Sequence, residues 1–249
     1  MSTPLDDLFV KVRSENRAAL IAYIPAGFPT IEGCKKVIQA FVEGGVDAIE
    51  IGFPYSDPVM DGPTIQAAAD QSLSQGTNAA DVFAALKVAT NSGVPAVVMT
   101  YWNPIEKYGV EKFAESIAVN GGSGVITPDL TIEESTGWKS AVEKNEINPI
   151  YVVAPSTSAQ RLPQVTSRCG GFVYAASLMG VTGTRAAVSS GAPDLVARIR
   201  ETSKLPVAVG LGVSTREQAK GVAGYADGVI VGSAFIKAMQ DAPNEAEGL

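Results

Sequence analysis

The chain alternates between short apolar runs and longer amphipathic segments. Eight runs rich in Val, Ile and Ala each end in a turn: ALIAYIPAG, DAIEIGF, PAVVMTYW, SGVITPDL, NPIYVVAP, GFVYAAS, LPVAVGLG and DGVIVGSA. The segments between them follow a helical period; TIEGCKKVIQAFVEGG, for example, places apolar residues on one side and ends at Gly44, which suits a helix C-cap. Continuous apolar strands that alternate with helices predict a parallel sheet covered on its outer face.

Eight strand–helix units in 249 residues predict an α/β fold, the (β/α)8 TIM barrel, as one domain over residues 1–249. A hydrophobic content of 46% is enough to fill such a core. A doubly wound open sheet is the alternative. Before the first strand, Leu5, Leu8, Phe9 and Val12 share one helical face and predict an extra N-terminal helix that packs on the barrel.

Charge and cysteine content limit the partners and the compartment. A net charge of -7 provides no basic surface for nucleic acid or an anionic membrane, so small molecules or proteins are the expected partners. No run of about 18 uncharged apolar residues predicts a membrane span. Cys34 and Cys169 lack CxxC spacing and no signal peptide precedes them, which favours the reducing cytoplasm and inert thiols.

Glu50 interrupts the apolar strand DAIEIGF and is the first candidate for chemistry. Strand alternation directs Ile49, Ile51 and Phe53 toward the helices, so Glu50 is expected to point into the barrel. Active residues of this fold lie where strands end and βα loops begin, and burial raises a carboxyl pKa toward the range of general acid–base catalysis. An internal pair with a lysine or arginine is the alternative role.

The loop after this strand carries two further carboxylates, Asp57 and Asp61. Asp61 precedes GPTIQ, where Pro63 could open a helix, so its side chain is either an N-cap or functional. Asp57 lies in an SDP turn, in a loop that three prolines stiffen. Because the chain has no histidine, acid–base work falls to carboxylates, tyrosine or lysine, and a transition-metal site is disfavoured. Nearly all lysines fall in helical segments, which disfavours Schiff-base aldol chemistry.

Glycine-rich segments follow the last three strands: GVTGTR at 180–185, GLGVST at 210–215 and VGSAF at 231–235. Their N–H groups can approach an anion closely, and a helix that begins near Ser233 directs its positive end to the same place. The pattern predicts a phosphate site, with ordinary tight turns as the alternative. The other strand ends carry aromatic residues that either line a pocket for a flat apolar ring or simply pack: Tyr23, Tyr101, Trp102 and Tyr174.

The segments EIGFPYSDPVMDGPTIQ, MGVTGTR and VGSA resemble the signature motifs of tryptophan synthase alpha subunits. The likeness runs from LIAYIPAGFPT through SGVITPDLTIEES to the last strand and covers nearly the whole chain. Members of that family fold as (β/α)8 barrels and cleave indole-3-glycerol phosphate to indole and glyceraldehyde 3-phosphate without a metal or organic cofactor. The resemblance therefore implies a carbon–carbon lyase of tryptophan biosynthesis.

The same motifs imply roles for individual residues. Glu50 resembles the group that protonates indole C3 and handles the glycerol hydroxyl proton, and Asp61 resembles the group that contacts the indole N–H. The resemblance implies substrate contacts at Tyr23, Tyr101, Ile126, Tyr174 and Thr182. It implies phosphate contacts at Gly183, Gly212, Val213, Gly232 and Ser233.

The family acts as an α2β2 complex in which the alpha subunit passes indole to a PLP-dependent beta subunit, so no PLP is expected in this chain. The segments FPYSDPVMD and YWNPIEKYG resemble the partner-facing surfaces, with implied contacts at Pro54, Asp57, Asn103 and Pro104. The chain departs from some relatives at three positions. Phe28 replaces an aspartate, and Leu178 and Met179 replace an arginine and a serine that latch a closing loop electrostatically.

Two other functions stay open on sequence grounds. A free-standing lyase would release indole without a beta subunit. A non-catalytic subunit would keep the barrel and the phosphate site only to activate a partner, although the presence of both Glu50 and Asp61 argues against this role.

Overall fold

The computed structural model describes residues 2–176, 191–210, 212–243 and 248, and within those ranges the chain forms a sheet surrounded by helices. The strands are β1 Ala19–Pro25, β2 Ala48–Gly52, β3 Ala96–Met99, β4 Gly124–Ile126, β5 Asn148–Ile150, β6 Val152–Val153, β7 Val173–Ala176, β8 Val207–Gly210 and β9 Gly228–Val231. The helices are α1 Pro4–Ser14, α2 Ile31–Glu43, α3 Pro63–Ser74, α4 Ala79–Asn91, α5 Trp102–Tyr108, α6 Val110–Val119, α7 Thr136–Lys144, α8 Arg161–Thr166, α9 Gly191–Thr202, α10 Arg216–Ala223 and α11 Ser233–Asp241.

The strands pair in parallel in the order β5-β4-β3-β2-β1-β9-β8-β7-β6. The first strand joins the two halves, because Ile21 lies opposite Ala48 of β2 and also opposite Ile230 of β9. The two ends of this order, β5 and β6, are successive pieces of chain separated only by Tyr151, so the sheet closes on itself. The predicted (β/α)8 barrel is confirmed, and the doubly wound alternative is wrong.

The prediction of one continuous strand over NPIYVVAP, residues 148–155, is wrong. β5 pairs with β4 and β6 pairs with β7, while Tyr151 between them belongs to neither strand. The Tyr151 carbonyl accepts a hydrogen bond from the Tyr174 amide at 3.3 Å, and the Tyr151 ring is buried. The chain changes its strand partner at this residue. The apolar pattern does not reveal the change because both halves of the run are equally hydrophobic.

Helix α1 is the predicted extra N-terminal helix, and the four residues predicted for its apolar face are all buried. A capping box starts it: the Asp6 amide donates to Thr3 Oγ1 at 3.3 Å, and the Thr3 amide donates to the Asp6 carboxylate at 2.8 Å. Asn148 Nδ2 also donates to Thr3 Oγ1, at 2.8 Å, and Phe9 packs on Phe172 with ring centroids 5.6 Å apart. These contacts attach the start of the chain to β5 and to the residue just before β7.

The core lies between the strands and the helices that surround them. In β2, Ile49 and Ile51 are fully buried and belong to the main apolar cluster. Cys34 and Cys169 are free thiols, and burial raises their pKa values to about 11 and about 12, which keeps both protonated near neutral pH. Nowhere in the described ranges is a helix both long enough and apolar enough to cross a membrane.

Candidate active site

A cavity of about 390 Å³ opens at the carboxyl end of the barrel strands. Side chains from β1, β2, β3, β7 and β9 form its base, and residues of the loops after β2, β8 and β9 form its rim. In a barrel of this class the carboxyl ends of the strands are where catalytic groups converge. The cavity therefore has the position and the size of a small-molecule site.

Glu50 lies in the middle of β2 and is only 1% exposed, although its side chain lines the cavity. Burial is the main cause that raises its pKa to about 8, and the negative charge of Asp61 contributes to the same rise. Its Oε2 atom has no hydrogen-bond partner, and no lysine or arginine in the described part of the chain forms an ion pair with this carboxyl. Glu50 is thus a protonated acid at neutral pH, with an oxygen left free for a ligand.

Asp61 lines the same cavity from the loop after β2. The N-cap alternative does not apply to it, because α3 begins at Pro63 with Gly62 as its N-cap and without a side-chain cap. Its Oδ2 atom instead accepts a hydrogen bond from the Tyr101 hydroxyl at 3.2 Å. Burial raises the pKa of Asp61, and the Tyr101 hydrogen bond opposes that rise.

Two tyrosines reach the cavity across glycines of neighbouring strands. A Cβ atom on Gly52 would lie 2.4 Å from the Tyr23 hydroxyl, and a Cβ atom on Gly210 would lie 2.1 Å from the Tyr174 hydroxyl. Glycine at these two positions therefore provides the space for both rings. Burial raises the pKa of both phenols well above the usual value, and the Glu50 and Asp61 charges add to the effect, so both hydroxyls stay protonated.

The side of the cavity formed by the last strands contains four of the five residues predicted to contact phosphate. Gly212 has a φ of +81°, which favours glycine, and Val213 follows it on the rim. Gly232 is the N-cap of α11, which begins at Ser233 as predicted, and no side chain caps this helix end. The first N–H groups of a helix have no partner within the helix, and α11 begins at two residues that line the cavity. The fifth residue, Gly183, lies outside the described residues, as do Thr182, Leu178 and Met179.

Two residues predicted to contact substrate do not line the cavity. Tyr101 lies behind Asp61, to which its hydroxyl donates. Ile126 ends β4 and is fully buried in the apolar core. The resemblance implied both contacts, and they stay predictions.

The four residues predicted to face a partner differ in how far solvent reaches them. Asp57 is exposed and accepts a hydrogen bond from the Ser56 hydroxyl. Asn103 and Pro104, at the start of α5, are partly exposed, and Asn103 Nδ2 donates to the Tyr55 hydroxyl at 3.1 Å. Pro54 is buried within the chain itself and offers little surface to another protein in this conformation.

Several cavity residues were missed by sequence reasoning because they carry no titratable group: Met60, Thr64, Ile65, Met99 and Ile230. Met99 and Ile230 end or nearly end their strands, and Thr64 and Ile65 lie in the first turn of α3. The available signal was their position next to a strand end or a helix start. Residue type alone would have assigned the apolar ones to the core.

A closed parallel barrel whose cavity holds two carboxyls of raised pKa beside a glycine-rich rim defines an acid–base enzyme of the (β/α)8 class. A family model described as tryptophan synthase alpha chain matches residues 9–248. The tryptophan synthase alpha chain of Streptomyces coelicolor is 54% identical over 246 residues, which are 98% of this chain and 91% of that protein. The chain belongs to the tryptophan synthase alpha chain family.

Solved structures agree with this assignment. A chain in the structure of Mycobacterium tuberculosis tryptophan synthase superposes with a TM-score of 0.93 at 46% identity, covering 100% of this chain and 96% of that one. A chain from the tryptophan synthase α2β2 complex of Pyrococcus furiosus gives a TM-score of 0.86 at 35% identity, covering 92% and 93%. The chain is accordingly a lyase for the indole-3-glycerol phosphate half-reaction, and the comparisons support a beta-subunit partner.

Proposed function

We propose that Glu50 and Asp61 together carry out the retro-aldol cleavage of indole-3-glycerol phosphate in the barrel cavity. The observation that carries this proposal is the pair of carboxyls in one cavity, with burial holding Glu50 protonated and one of its oxygens unpartnered. A buried carboxyl without a partner is unfavourable for folding, so its presence favours a catalytic task.

The reaction needs two proton transfers at Glu50. Its carboxyl gives a proton to indole C3, which becomes tetrahedral while positive charge develops on the ring nitrogen. The Glu50 carboxylate then takes the proton of the glycerol hydroxyl next to the scissile bond as the C–C bond breaks, and the bonding electrons return to the ring. Indole and an aldehyde leave, and Glu50 ends in its initial protonated state.

Asp61 serves the ring nitrogen in this scheme. An anionic carboxylate that accepts a hydrogen bond from the indole N–H stabilises the positive charge formed when C3 is protonated. The hydrogen bond from Tyr101 favours the anionic form that this role requires. The two carboxyls therefore perform opposite tasks, Glu50 as the acid and Asp61 as the anion, because their surroundings differ.

The rest of the cavity suits the remaining parts of the substrate. Met60, Ile65 and Met99 provide apolar surface for the indole ring, and Tyr174 offers a protonated hydroxyl to the glycerol chain. The phosphate is proposed to bind the N–H groups around Gly212, Val213, Gly232 and Ser233, together with Gly183, and Thr182 is proposed as a further substrate contact. Tyr23, which also lines the cavity, is proposed to contact the substrate.

The proposed assembly is an α2β2 complex in the cytoplasm, in which this chain passes indole to a beta subunit that alone binds PLP. The surface around Asp57, Asn103 and Pro104 is proposed to contact that subunit. This assembly is supported by the naming of an α2β2 complex for the Pyrococcus furiosus relative. The exposure of Asp57, which lies in the rim-forming loop after β2, also agrees with it.

The proposal is tested by Glu50→Gln, which keeps the shape of the side chain and removes the exchangeable acid. We expect kcat for indole release to fall by about 10²- to 10⁴-fold, while binding of glycerol 3-phosphate changes little. Exposed Glu43 provides the matched control, because Glu43→Gln changes the same group on the outer face of α2. Turnover by Glu50→Gln at the wild-type rate would remove Glu50 from the mechanism.

The same assay, with and without a tryptophan synthase beta subunit, separates the remaining alternatives. A subunit of the complex releases indole faster when the beta subunit is added. A free-standing lyase gains little from the addition. A chain that releases no indole under either condition is a non-catalytic subunit.

A further inference from the structure

The hydroxyl of Tyr101 connects two parts of the loop after β2. It accepts a hydrogen bond from the Met60 amide at 3.2 Å and donates one to Asp61 Oδ2 at 3.2 Å. A phenol has a single proton, and the Met60 N–H already occupies a lone pair of the oxygen. The Tyr101 proton is therefore directed at the Asp61 carboxylate.

The Tyr101 ring is held firmly enough to keep this geometry. Tyr101 is only 4% exposed, and its ring packs on Tyr55 with centroids 5.3 Å apart. The Tyr55 hydroxyl accepts a hydrogen bond from Asn103 Nδ2 at 3.1 Å, which anchors the second ring to the start of α5. A packed and anchored donor holds its acceptor in a fixed orientation at little entropic cost.

We propose that Tyr101 is a positioning residue for Asp61, which orients the Asp61 carboxylate toward the cavity and keeps it ionised. The proposal deepens the proposed function and rests on it for the link to catalysis. It assigns Tyr101 a role different from the indole contact expected from the sequence, since Tyr101 acts through Asp61 and does not line the cavity.

The ionisation of Asp61 depends on the groups that face it. Glu50 on β2 is the other carboxyl of the cavity, and Tyr23 on β1 and Tyr174 on β7 are protonated phenols that interact electrostatically with Asp61. None of these three groups donates a hydrogen bond to the Asp61 carboxylate, whereas Tyr101 does. Removing that bond leaves the effect of burial unopposed, so the pKa of Asp61 rises.

The test is Tyr101→Phe, which deletes the hydroxyl and keeps the ring that packs on Tyr55. The first measurement follows the side-chain carboxyl carbon of Asp61 by NMR through a pH titration of the substrate-free protein, with the resonance assigned by Asp61→Asn. We expect a higher Asp61 pKa in Tyr101→Phe. Tyr108→Phe is the matched control, because its hydroxyl contacts Ser116 at 3.2 Å on the outer helices and leaves Asp61 unaffected.

The second measurement is the pH profile of indole release. In Tyr101→Phe we expect kcat to be about 10- to 100-fold lower at neutral pH, the range for losing a hydrogen bond to a charged group, and the acidic limb of the profile to move to higher pH. A loss of packing would lower the melting temperature without moving that limb.

The outcomes separate this inference from the proposed function. Wild-type cleavage together with an unchanged Asp61 titration in folded Tyr101→Phe overturns the role of Tyr101 and leaves the lyase assignment standing. A raised Asp61 pKa in Tyr101→Phe, with no cleavage by the wild type, supports the electrostatic role and overturns the assigned reaction. A raised pKa with the shifted acidic limb supports both.

Discussion

Glu50 makes the barrel less stable as the pH rises, because a buried carboxyl resists ionisation. Its pKa in the folded chain is about 8, against 4.5 for the unperturbed group. Between those two pH values the folded state binds a proton that the unfolded state has released. The stability contributed by the neutral form is therefore fully present below the unfolded pKa and is lost as the pH rises through the folded one.

This linkage gives a prediction for Glu50→Gln at the residue scale. Within that window, a rise of one pH unit lowers the wild-type free energy of unfolding by about 1.4 kcal/mol. From pH 5 to pH 7 the contribution of Glu50 therefore falls by roughly 3 kcal/mol. Glutamine does not titrate. We expect urea denaturation to show Glu50→Gln gaining stability relative to wild type as the pH rises. Parallel pH dependences of the two proteins would mean that Glu50 is not buried as described.

Single residues also show what sequence reasoning can reach at this site. A lone carboxylate in an apolar strand identified Glu50, because charge in such a position is unusual and strand alternation assigns it a face. The same reasoning could not find the hydrogen bond from Tyr101 to Asp61, which joins residues 40 positions apart. The substrate contact at Ile126 was implied by the family resemblance and stays a prediction; the structure places that side chain in the apolar core.

At the scale of elements, the cavity depends on close approach between neighbouring strands. Tyr23 of β1 lies across Gly52 of β2, and Tyr174 of β7 lies across Gly210 of β8. In each pair one strand carries the tyrosine, and the glycine on the neighbouring strand leaves room for its ring. The register fixes this relation, since Pro25 pairs with Gly52 and Ala176 pairs with Gly210, two residues beyond each tyrosine.

Gly52→Ala tests this arrangement. The added Cβ would lie 2.4 Å from the Tyr23 hydroxyl and 2.7 Å from the ring carbon that bears it, so the ring must move into the cavity. We expect a loss of roughly 1–3 kcal/mol in the free energy of unfolding, typical of overpacking, and a higher KM.

Gly221→Ala is the control for this prediction. Gly221 lies in α10, and nothing lies within 4 Å of a Cβ added there. Gly221→Ala should raise the free energy of unfolding by up to about 1 kcal/mol, because alanine favours the helix more than glycine does. A KM for Gly52→Ala that matches the wild type would show that the Tyr23 ring does not shape the site.

Element boundaries show where the sequence pattern is sufficient and where it fails. Helix starts at Pro4, Ile31 and Ser233 follow local signals, namely capping residues and glycine turns, and could be predicted. The break at Tyr151 could not, because it depends on which neighbour each half of the strand meets when the barrel closes. The local sequence does not indicate which strands pair with each half.

At the scale of the whole molecule, the first residues of the chain, in and next to α1, contact residues that lie much later in the sequence. A Cβ on Gly171 would lie 2.7 Å from Leu5 Cδ2, and Thr3 accepts a hydrogen bond from Asn148. The barrel order was predictable from eight apolar runs, but these contacts between distant residues were not. That the chain forms one domain over residues 1–249 stays a prediction.

Leu5→Ala measures the contribution of α1 to the folded molecule. Leu5 is fully buried, so its truncation should lower the free energy of unfolding by about 2–5 kcal/mol. Val10, on the same helix, is 70% exposed, and Val10→Ala should change stability by no more than about 0.5 kcal/mol. Equal effects of the two substitutions in chemical denaturation would mean that α1 does not pack as described.

The break at Tyr151 has a consequence for the behaviour of the protein at high concentration. An open sheet presents unpaired backbone groups along its outermost strands, and such a margin can recruit strands from other molecules. Here the two outermost strands of the order, β5 and β6, are joined through one residue and complete a ring. Among the strands that the structure describes, this leaves no free sheet edge on which other chains could stack into fibrils, which disfavours strand-to-strand aggregation of the folded protein.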